Sequence, residues 1–377
     1  MSGLAVFIGA GLLTLPFYRA ELLHERFVGA HAVPANALTA VVLLAVAVAV
    51  VSLLRRDFVR LHPARLTWDD TGDRDRIVHR AMVRAWALRF GIVAYLFVAA
   101  GFVLGWSGWP ALLATTVAAA LYAYAAARRA RRGEHAVPFG LAAAGAAFVP
   151  STWLWIIAGV LLAATAAVWG PPPRPGRREL VRGHLAHVAR AVAASFGDVL
   201  SVLPRPRPTR GRLGTTLRFV VTGIAARRGM VAAAVLLALA APVLHAVFPV
   251  VAPVWWAGLG AYFAVLPFAG GLAEVSTVAG LRRWLPQSDT ELWLTAVVVL
   301  MVVAGLWLAA AALAGLPAAP AAIPVAAVAV ARTVSRPDLD YSPGPTADLG
   351  GVAMPVNLVR QLVRGPFLLV MGLAALS

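Results

Sequence analysis

The sequence predicts an all-α fold, a polytopic transmembrane helical bundle of about 10–12 membrane segments in two tandem repeats. Hydrophobic residues make up 61% of the 377 residues and charged residues only 13%, whereas a soluble domain is about 45–50% apolar and about 25% charged. The mean hydropathy is +0.81, and about ten runs approach the roughly 20 apolar residues that cross a bilayer. We therefore expect a multi-pass protein of the cell membrane.

The chain carries a formal net charge of +17, and its basic residues crowd the segments between the apolar runs. Basic loops of membrane proteins remain in the cytoplasm, and they attract anionic lipid headgroups. Anionic lipids are therefore expected partners. Nucleic acid is not expected, because no basic segment has the composition of an exposed domain with its own fold.

Two residue types are absent. The chain has no cysteine, and all 33 of its basic residues other than histidine are arginine. The first absence excludes disulfides and thiolate metal sites. The second excludes a P-loop, whose lysine contacts the β- and γ-phosphates. We therefore expect no nucleotide or other cofactor bound by this chain.

The first repeat is assigned to residues 1–169. Residues 60–80, which contain half of the acids of this repeat, are interpreted as a polar loop. The last apolar stretch of this repeat, residues 137–169, is too long for one straight span, and Pro150 predicts a break near its middle. The expected apolar segments include residues 3–17, 37–54 and 137–169. Between them, one segment runs from residue 87 to the turn at 105–110, and another runs from that turn to residue 127.

A Pro- and Arg-rich linker follows at residues 170–213, and its charge is expected to hold it in the cytoplasm. Inside it, residues 179–203 predict an amphipathic surface helix. His184 and His187 lie three residues apart on this helix. No acid or third ligand completes a zinc site there, so the pair is interpreted as part of the basic surface.

The second repeat is assigned to residues 214–377. Residues 214–228 predict an amphipathic elbow helix that lies in the membrane interface. The expected membrane segments that follow are 230–248, 253–271, 292–313, 319–334 and 355–376, with a polar loop at 335–351.

A constant spacing of 217 residues relates the two halves, which is the basis for expecting a tandem repeat. Internal repeats are common in transporters. The two repeats predict either a pseudo-dimer within one chain or a homodimer. The pairs that share this spacing are Asp57 with Glu274, Arg65 with Arg282, Thr71 with Ser288, Pro138 with Pro355 and Leu141 with Leu358.

The segment from Glu274 to Glu291 lies between two long apolar runs and reads EVSTVAGLRRWLPQSDTE. Its adjacent arginines indicate the cytoplasmic side. Ser288 or Asp289 is suited to cap the next helix, whose first turn then carries Glu291. The segment therefore predicts a helix end, a tight cytoplasmic turn and a new helix.

This pattern resembles the cytoplasmic turn between the second and third membrane helices of ABC-2-type exporter permeases. The matching residues are Glu274, Thr277, Leu281, Leu285, Pro286 and Ser288. In that family the turn docks on a separate ATPase subunit, so the resemblance implies that ATP is bound by a cytoplasmic partner. It also implies export of a substrate by alternating access.

The resemblance assigns ATPase coupling to one set of residues and a weaker counterpart to the first repeat. The coupling set is Glu274, Thr277, Leu281, Arg282, Arg283, Pro286, Ser288 and Asp289. The counterpart is Asp57, Arg65, Asp69, Asp70 and Thr71.

Two other functions remain open. Asp69, Asp70 and Asp73 form an Asp-Asp-x-x-Asp cluster that is suited to hold Mg²⁺ against a diphosphate, which predicts a prenyl or lipid-phosphate transferase. The repeat counterpart of this loop lacks the cluster, and helix capping explains the same acids. The third interpretation is a membrane scaffold without catalytic activity.

Overall fold

The computed structural model describes residues 11, 13–29, 34–64, 74–128, 136–171, 174–195, 216–277, 288–335, 346–348 and 353–377. Within these ranges the protein is helical, apart from one antiparallel pair of short strands, β1 (Thr346–Asp348) and β2 (Ala353–Pro355). Seven helical segments of the described chain are long and apolar enough to cross a membrane. The predicted fold class, an all-α polytopic bundle, is confirmed.

The chain forms two compact units. The first comprises Met1–Ala189 with Val243–Val251, and the second comprises Arg190–Pro242 with Ala252–Ser377. The helices that begin in the first unit are α1 (Ala20–Phe27), α2 (Ala37–Leu54), α3 (Arg74–Leu104), α4 (Trp109–Arg128), α5 (Ala136–Ala146), α6 (Ser151–Val168) and α7 (Arg177–Ser195).

Helix α2 lies at the centre of the first unit, where α3, α4 and α5 pack against it. Its residues from Ala40 to Val50 are largely buried small or branched apolar side chains, which let neighbouring helices approach closely. At Gly145 of α5, an added Cβ would lie 3.0 Å from the carbonyl oxygen of Ala40. Helix α6 packs mainly on α4.

The expected polar loop at residues 60–80 is wrong for its last seven residues, because α3 already includes Arg74. The physical reason is that residues 74–80 are amphipathic, with apolar side chains on one helix face and charged side chains on the others. Val78 and Met82 are one helical turn apart and are both buried. Arginines on the other faces of α3 hide this pattern when only mean hydropathy is considered.

The expected break near Pro150 is confirmed. Helix α5 ends at Ala146 and α6 begins at Ser151, with Pro150 in an extended conformation at its N-cap. Because α5 has only 11 residues, it extends for about 16 Å. The side-chain amide of Asn36, at the start of α2, donates to the carbonyl of Phe148 at 3.0 Å, so α5 runs antiparallel to α2.

The second unit contains the remaining helices, and the last residues of α9 are counted with the first unit. These helices are α8 (Thr216–Ala226), α9 (Val231–Val247), α10 (Pro253–Val265), α11 (Gly270–Thr277), α12 (Asp289–Leu313), α13 (Ala322–Val334) and α14 (Val356–Ala374). A 3-10 turn, Leu266–Ala269, joins α10 to α11, and together they form one apolar segment, Pro253–Ser276.

The helix packing inside the second unit follows the same order as inside the first. Helices α12, α13 and α14 pack against α10, as α3, α4 and α5 pack against α2. Helices α12 and α13 also pack against each other, as α3 and α4 do. Helix α10 begins at Pro253 and α2 at Ala37, so their starts are 216 residues apart (253 − 37), one fewer than the spacing found in the sequence.

Large apolar side chains on the outer faces of the long helices are exposed. On α3 and α12 they recur about every four residues, which is the spacing of one helix face. Such faces suit contact with lipid tails, which are as apolar as leucine. The exposed residues of these two faces include Leu88, Ile92, Leu96, Leu294, Val298, Val302 and Leu306.

Candidate functional site

The candidate site of the second unit is the helix end that carries Glu274. This residue lies in the second turn of α11 and its side chain is exposed. Helix α11 ends at Thr277, three residues after the acid. The end of an apolar segment therefore presents a carboxylate to its surroundings.

Ser288 caps the helix that follows. Its side-chain oxygen accepts a hydrogen bond from the backbone N–H of Glu291 at 3.2 Å, and its backbone is extended. Asp289 and Glu291 occupy the first turn of α12, where negative charge interacts favourably with the helix dipole. The expected cap is confirmed, and it is Ser288 rather than Asp289 that provides it.

The elbow helix α8 packs directly on α11. An added Cβ at Gly223 of α8 would lie 3.0 Å from the Cα of Gly271, so the two backbones are in contact because both residues lack side chains. An added Cβ at Gly270 would overlap the guanidinium of Arg227. Arg227 is only 8% exposed, and it lies against α11 one turn before Glu274.

A second contact holds the opposite side of α11. The hydroxyl of Ser276 donates to the carbonyl of Val334, the last residue of α13, at 3.1 Å. One residue earlier on α13, the hydroxyl of Thr333 lies 2.9 Å from the hydroxyl of Tyr262 on α10. Helix α11 is therefore held between α8 and α13, and its exposed acid lies in its last turn.

The counterpart in the first unit has different surroundings. Asp57 follows α2 and is half-buried, in the turn where Arg56 adopts a left-handed conformation with φ of 53°. Arg89 of α3 lies within electrostatic range of Asp57, and its Nε donates to the hydroxyl of Ser52 on α2 at 2.8 Å. Asp57 is thus close to an arginine of a neighbouring helix.

The linker helix α7 covers the segment that follows Asp57. The backbone N–H of Leu61 donates to the carbonyl of Leu180 at 3.4 Å, and an added Cβ at Gly183 would overlap the carbonyl oxygen of Val59. The rings of His62 and His184 meet edge to face, with centroids 4.8 Å apart. His184 therefore contacts another histidine, a contact that the sequence alone did not indicate.

Several residues assigned from the sequence lie outside the described residues. For these positions the coupling and magnesium assignments stay predictions. They are Leu281, Arg282, Arg283, Leu285 and Pro286 of the second repeat, and Arg65, Asp69, Asp70, Thr71 and Asp73 of the first. Within the described ranges, no group of three or more His, Asp or Glu side chains is placed to hold a metal ion.

Sequence reasoning missed the residues that hold these helix ends in place. Arg227 was placed only within the expected elbow helix at residues 214–228, and Arg89 only within the apolar segment that starts at residue 87. The adjacent glycines Gly270 and Gly271 could have predicted that this segment contacts another helix closely, because paired small residues in a membrane segment indicate close helix contact. Nothing in the sequence indicates which helix makes that contact.

No family model, curated protein or solved structure matches this chain. The function is therefore argued from the geometry of the two helix ends and from the composition of the chain.

Proposed function

We propose that this protein is the membrane-spanning subunit of an ABC-type exporter of the cell membrane, driven by a separate cytoplasmic ATPase. The observation that carries the proposal is the exposed Glu274 near the end of a helix that two neighbouring helices hold, with Ser288 capping the next described helix. A helix end that is held by its neighbours suits a docking point for another protein, because little of its backbone has to be ordered on binding.

The bracing of α11 explains how docking would act on the membrane segments. The backbone of α11 contacts the backbone of α8 at Gly223. Helix α11 also forms a hydrogen bond with the end of α13 through Ser276. Because packed interiors are dense and transmit displacement, a push on this turn moves α8, α11 and α13 together. Such a movement would produce alternating access, in which a substrate path opens to one side of the membrane at a time.

The energy source must lie on a partner. The chain has no lysine and therefore no P-loop lysine, so ATP binds to the partner subunit. The repeated packing order around α2 and α10 supports the two tandem repeats, and with them a pseudo-dimer within one chain.

The helix end that carries Asp57 and the helix end that carries Glu274 are not equivalent in this proposal. The end of the first repeat has its acid near Arg89 and its following segment covered by α7, whereas Glu274 is exposed. The turn from Glu274 to Glu291 is therefore the main docking point, and the Asp57 end has a smaller role.

The test is a co-purification from detergent after co-expression with the neighbouring genes, in which the captured proteins are identified by mass spectrometry. The wild type should capture the ATPase. Glu274→Ala and the double change Arg282→Ala with Arg283→Ala should each reduce capture by roughly tenfold or more, which is the size expected for a central charged contact.

Glu25→Ala is the matched control. Glu25 is also an exposed acid on a short helix. Its helix, α1, packs within the first unit against the last turn of α3, where His24 contacts the carbonyl of Val103 at 2.8 Å. This control should leave capture unchanged. If the wild type captures no ATPase, or if all variants capture it equally, the proposal is rejected.

A further inference from the structure

A cluster of aromatic and basic side chains lies at one end of the first unit, and the proposed function does not use it. At its centre is Tyr124 of α4, with Arg128 one turn later on the same helix. We call it the Tyr124 cluster. It consists of His79, Trp86, Tyr124, Arg128 and Trp169.

Two aromatic rings hold the guanidinium of Arg128. Its Cζ lies 5.5 Å from the ring centroid of Tyr124 and 5.1 Å from that of Trp169, within the range of a cation–π interaction. The two rings are themselves 6.2 Å apart. The two rings therefore contact the guanidinium of Arg128 through their faces, which leaves hydrogen bonding to the N–H groups at its edge.

One of these N–H groups has no partner within the described part of the chain. Nε of Arg128 is buried and makes no hydrogen bond there, and the same holds for Nδ1 of His79. The His79 ring meets Tyr124 edge to face at 6.4 Å. A buried charged donor without an acceptor is costly, and an arginine can only donate. Among the described residues, the cluster therefore lacks an acceptor for this charged donor.

The position of the cluster indicates the source of that acceptor. Helix α4 has 20 residues and so extends for about 30 Å, the thickness of the hydrocarbon layer. Arg128 is its last residue and Trp169 directly follows α6, so both lie where a span reaches the interface. Trp169 is 53% exposed, which leaves the cluster open to surrounding lipid. Arginines 129, 131 and 132 follow in the sequence and place this end in the cytoplasm.

We propose that the Tyr124 cluster binds the phosphate group of an anionic lipid of the cytoplasmic leaflet. Phosphate oxygens accept from arginine in short, charge-assisted hydrogen bonds, and they are the acceptors that the interface supplies. Nε of Arg128 donates to a phosphate oxygen, and His79 completes the contact from α3.

The charged groups nearest in the chain agree with a lipid headgroup rather than with a bare phosphate ion. Arg74 and Asp75 lie one turn before His79 on α3, and Asp75 is 3.5 Å from Arg174. The other carboxylate oxygen of Asp75 is buried and has no partner among the described residues. That oxygen can accept from a hydroxyl or ammonium group of a lipid headgroup.

The test measures lipid binding by native mass spectrometry and by thermal stability in detergent. The probes are dioleoylphosphatidylglycerol, dioleoylphosphatidylcholine and inorganic phosphate. Phosphatidylglycerol should bind and raise the Tm of the wild type, and Arg128→Gln should weaken this binding by about tenfold or more, as loss of a charged hydrogen bond predicts.

Arg80→Gln is the matched control, because it removes the same charge at an exposed position of α3; it should leave binding unchanged. Trp169→Ala alters an exposed side chain, so it tests the cation–π contact with little risk to folding, and it should weaken binding severalfold. Equal losses in Arg128→Gln and Arg80→Gln would show only diffuse charge attraction and reject the site. A Tm increase from inorganic phosphate equal to that from the lipid would reject the lipid assignment.

Discussion

At the scale of single residues, several glycines set how closely neighbouring segments of this protein approach. Gly145, Gly223 and Gly183 each face a backbone atom of another segment at a distance that leaves no room for a methyl group. In a bilayer, helices gain little from hiding apolar side chains, since lipid is equally apolar, and close backbone contact provides the attraction instead. The close approach of α8 to α11 therefore depends on Gly223 and Gly271.

Ser288 is the residue whose local role is simplest to test. Replacing Ser288 with alanine removes the hydrogen bond to the N–H of Glu291, which should cost the start of α12 about 1 kcal/mol. Hydrogen exchange of the Glu291 amide should become roughly fivefold faster, as follows from that energy. Ser288→Asp keeps an acceptor at the same position and should restore slow exchange. Exchange that is unchanged in Ser288→Ala would show that the cap does not hold the helix start.

At the scale of elements, the two units differ in how each completes its bundle. In the first unit, α5 packs on α2 and α6 packs on α4, with Pro150 between them. In the second unit, the single helix α14 packs on both α10 and α13 and retains Pro366 inside it. One helix thus makes contacts that two helices make in the other unit, so the two units differ in how their last helices pack.

The linker helix α7 is an element whose docking depends on one residue. Gly183→Ala would place a methyl group on the carbonyl oxygen of Val59 and should displace α7 from the segment that follows Asp57. The arginines of α7 should then be cut several times faster by trypsin. Gly176→Ala is the control, because no atom lies within 4 Å of the added Cβ. Equal cleavage rates in the two variants would contradict the docking of α7 through Gly183.

At the scale of the whole molecule, the sequence predicts spans well and contacts poorly. Helix α2 was expected at 37–54 and occurs at Ala37–Leu54, because its apolar run is uninterrupted and ends at charged residues. The start of α3 was missed, because arginines dilute its apolar face.

The Tyr124 cluster was not predictable from the sequence. It joins residues 79, 124 and 169, and no local pattern relates residues so far apart in the chain. The contact between Arg227 and Gly270 was not predicted for the same reason. It depends on how α8 crosses α11, which the local sequence around either residue does not indicate.

The orientation of the whole bundle is the last prediction, and the absence of native cysteines makes it direct to test. Basic residues follow α2 and α4, so these ends and the Glu274 end should face the cytoplasm, with the turns at residues 105–108 and 248–252 outside. In intact cells, a membrane-impermeant maleimide should label Ser107→Cys and Val250→Cys, both at exposed positions. Arg178→Cys and Glu274→Cys, also exposed, should react only after the membrane is permeabilised.

Each outcome of this labelling has a distinct meaning for the molecule. The reverse pattern would invert the orientation and place Glu274 where no cytoplasmic ATPase reaches it. A mixed pattern, with Ser107→Cys and Val250→Cys on different sides, would change the number of crossings between α4 and α9. Only the expected pattern puts Glu274 and the Tyr124 cluster on the cytoplasmic side, since Arg178 follows Trp169 by nine residues (178 − 169). The labelling therefore tests the common premise of both proposals before either binding experiment is attempted.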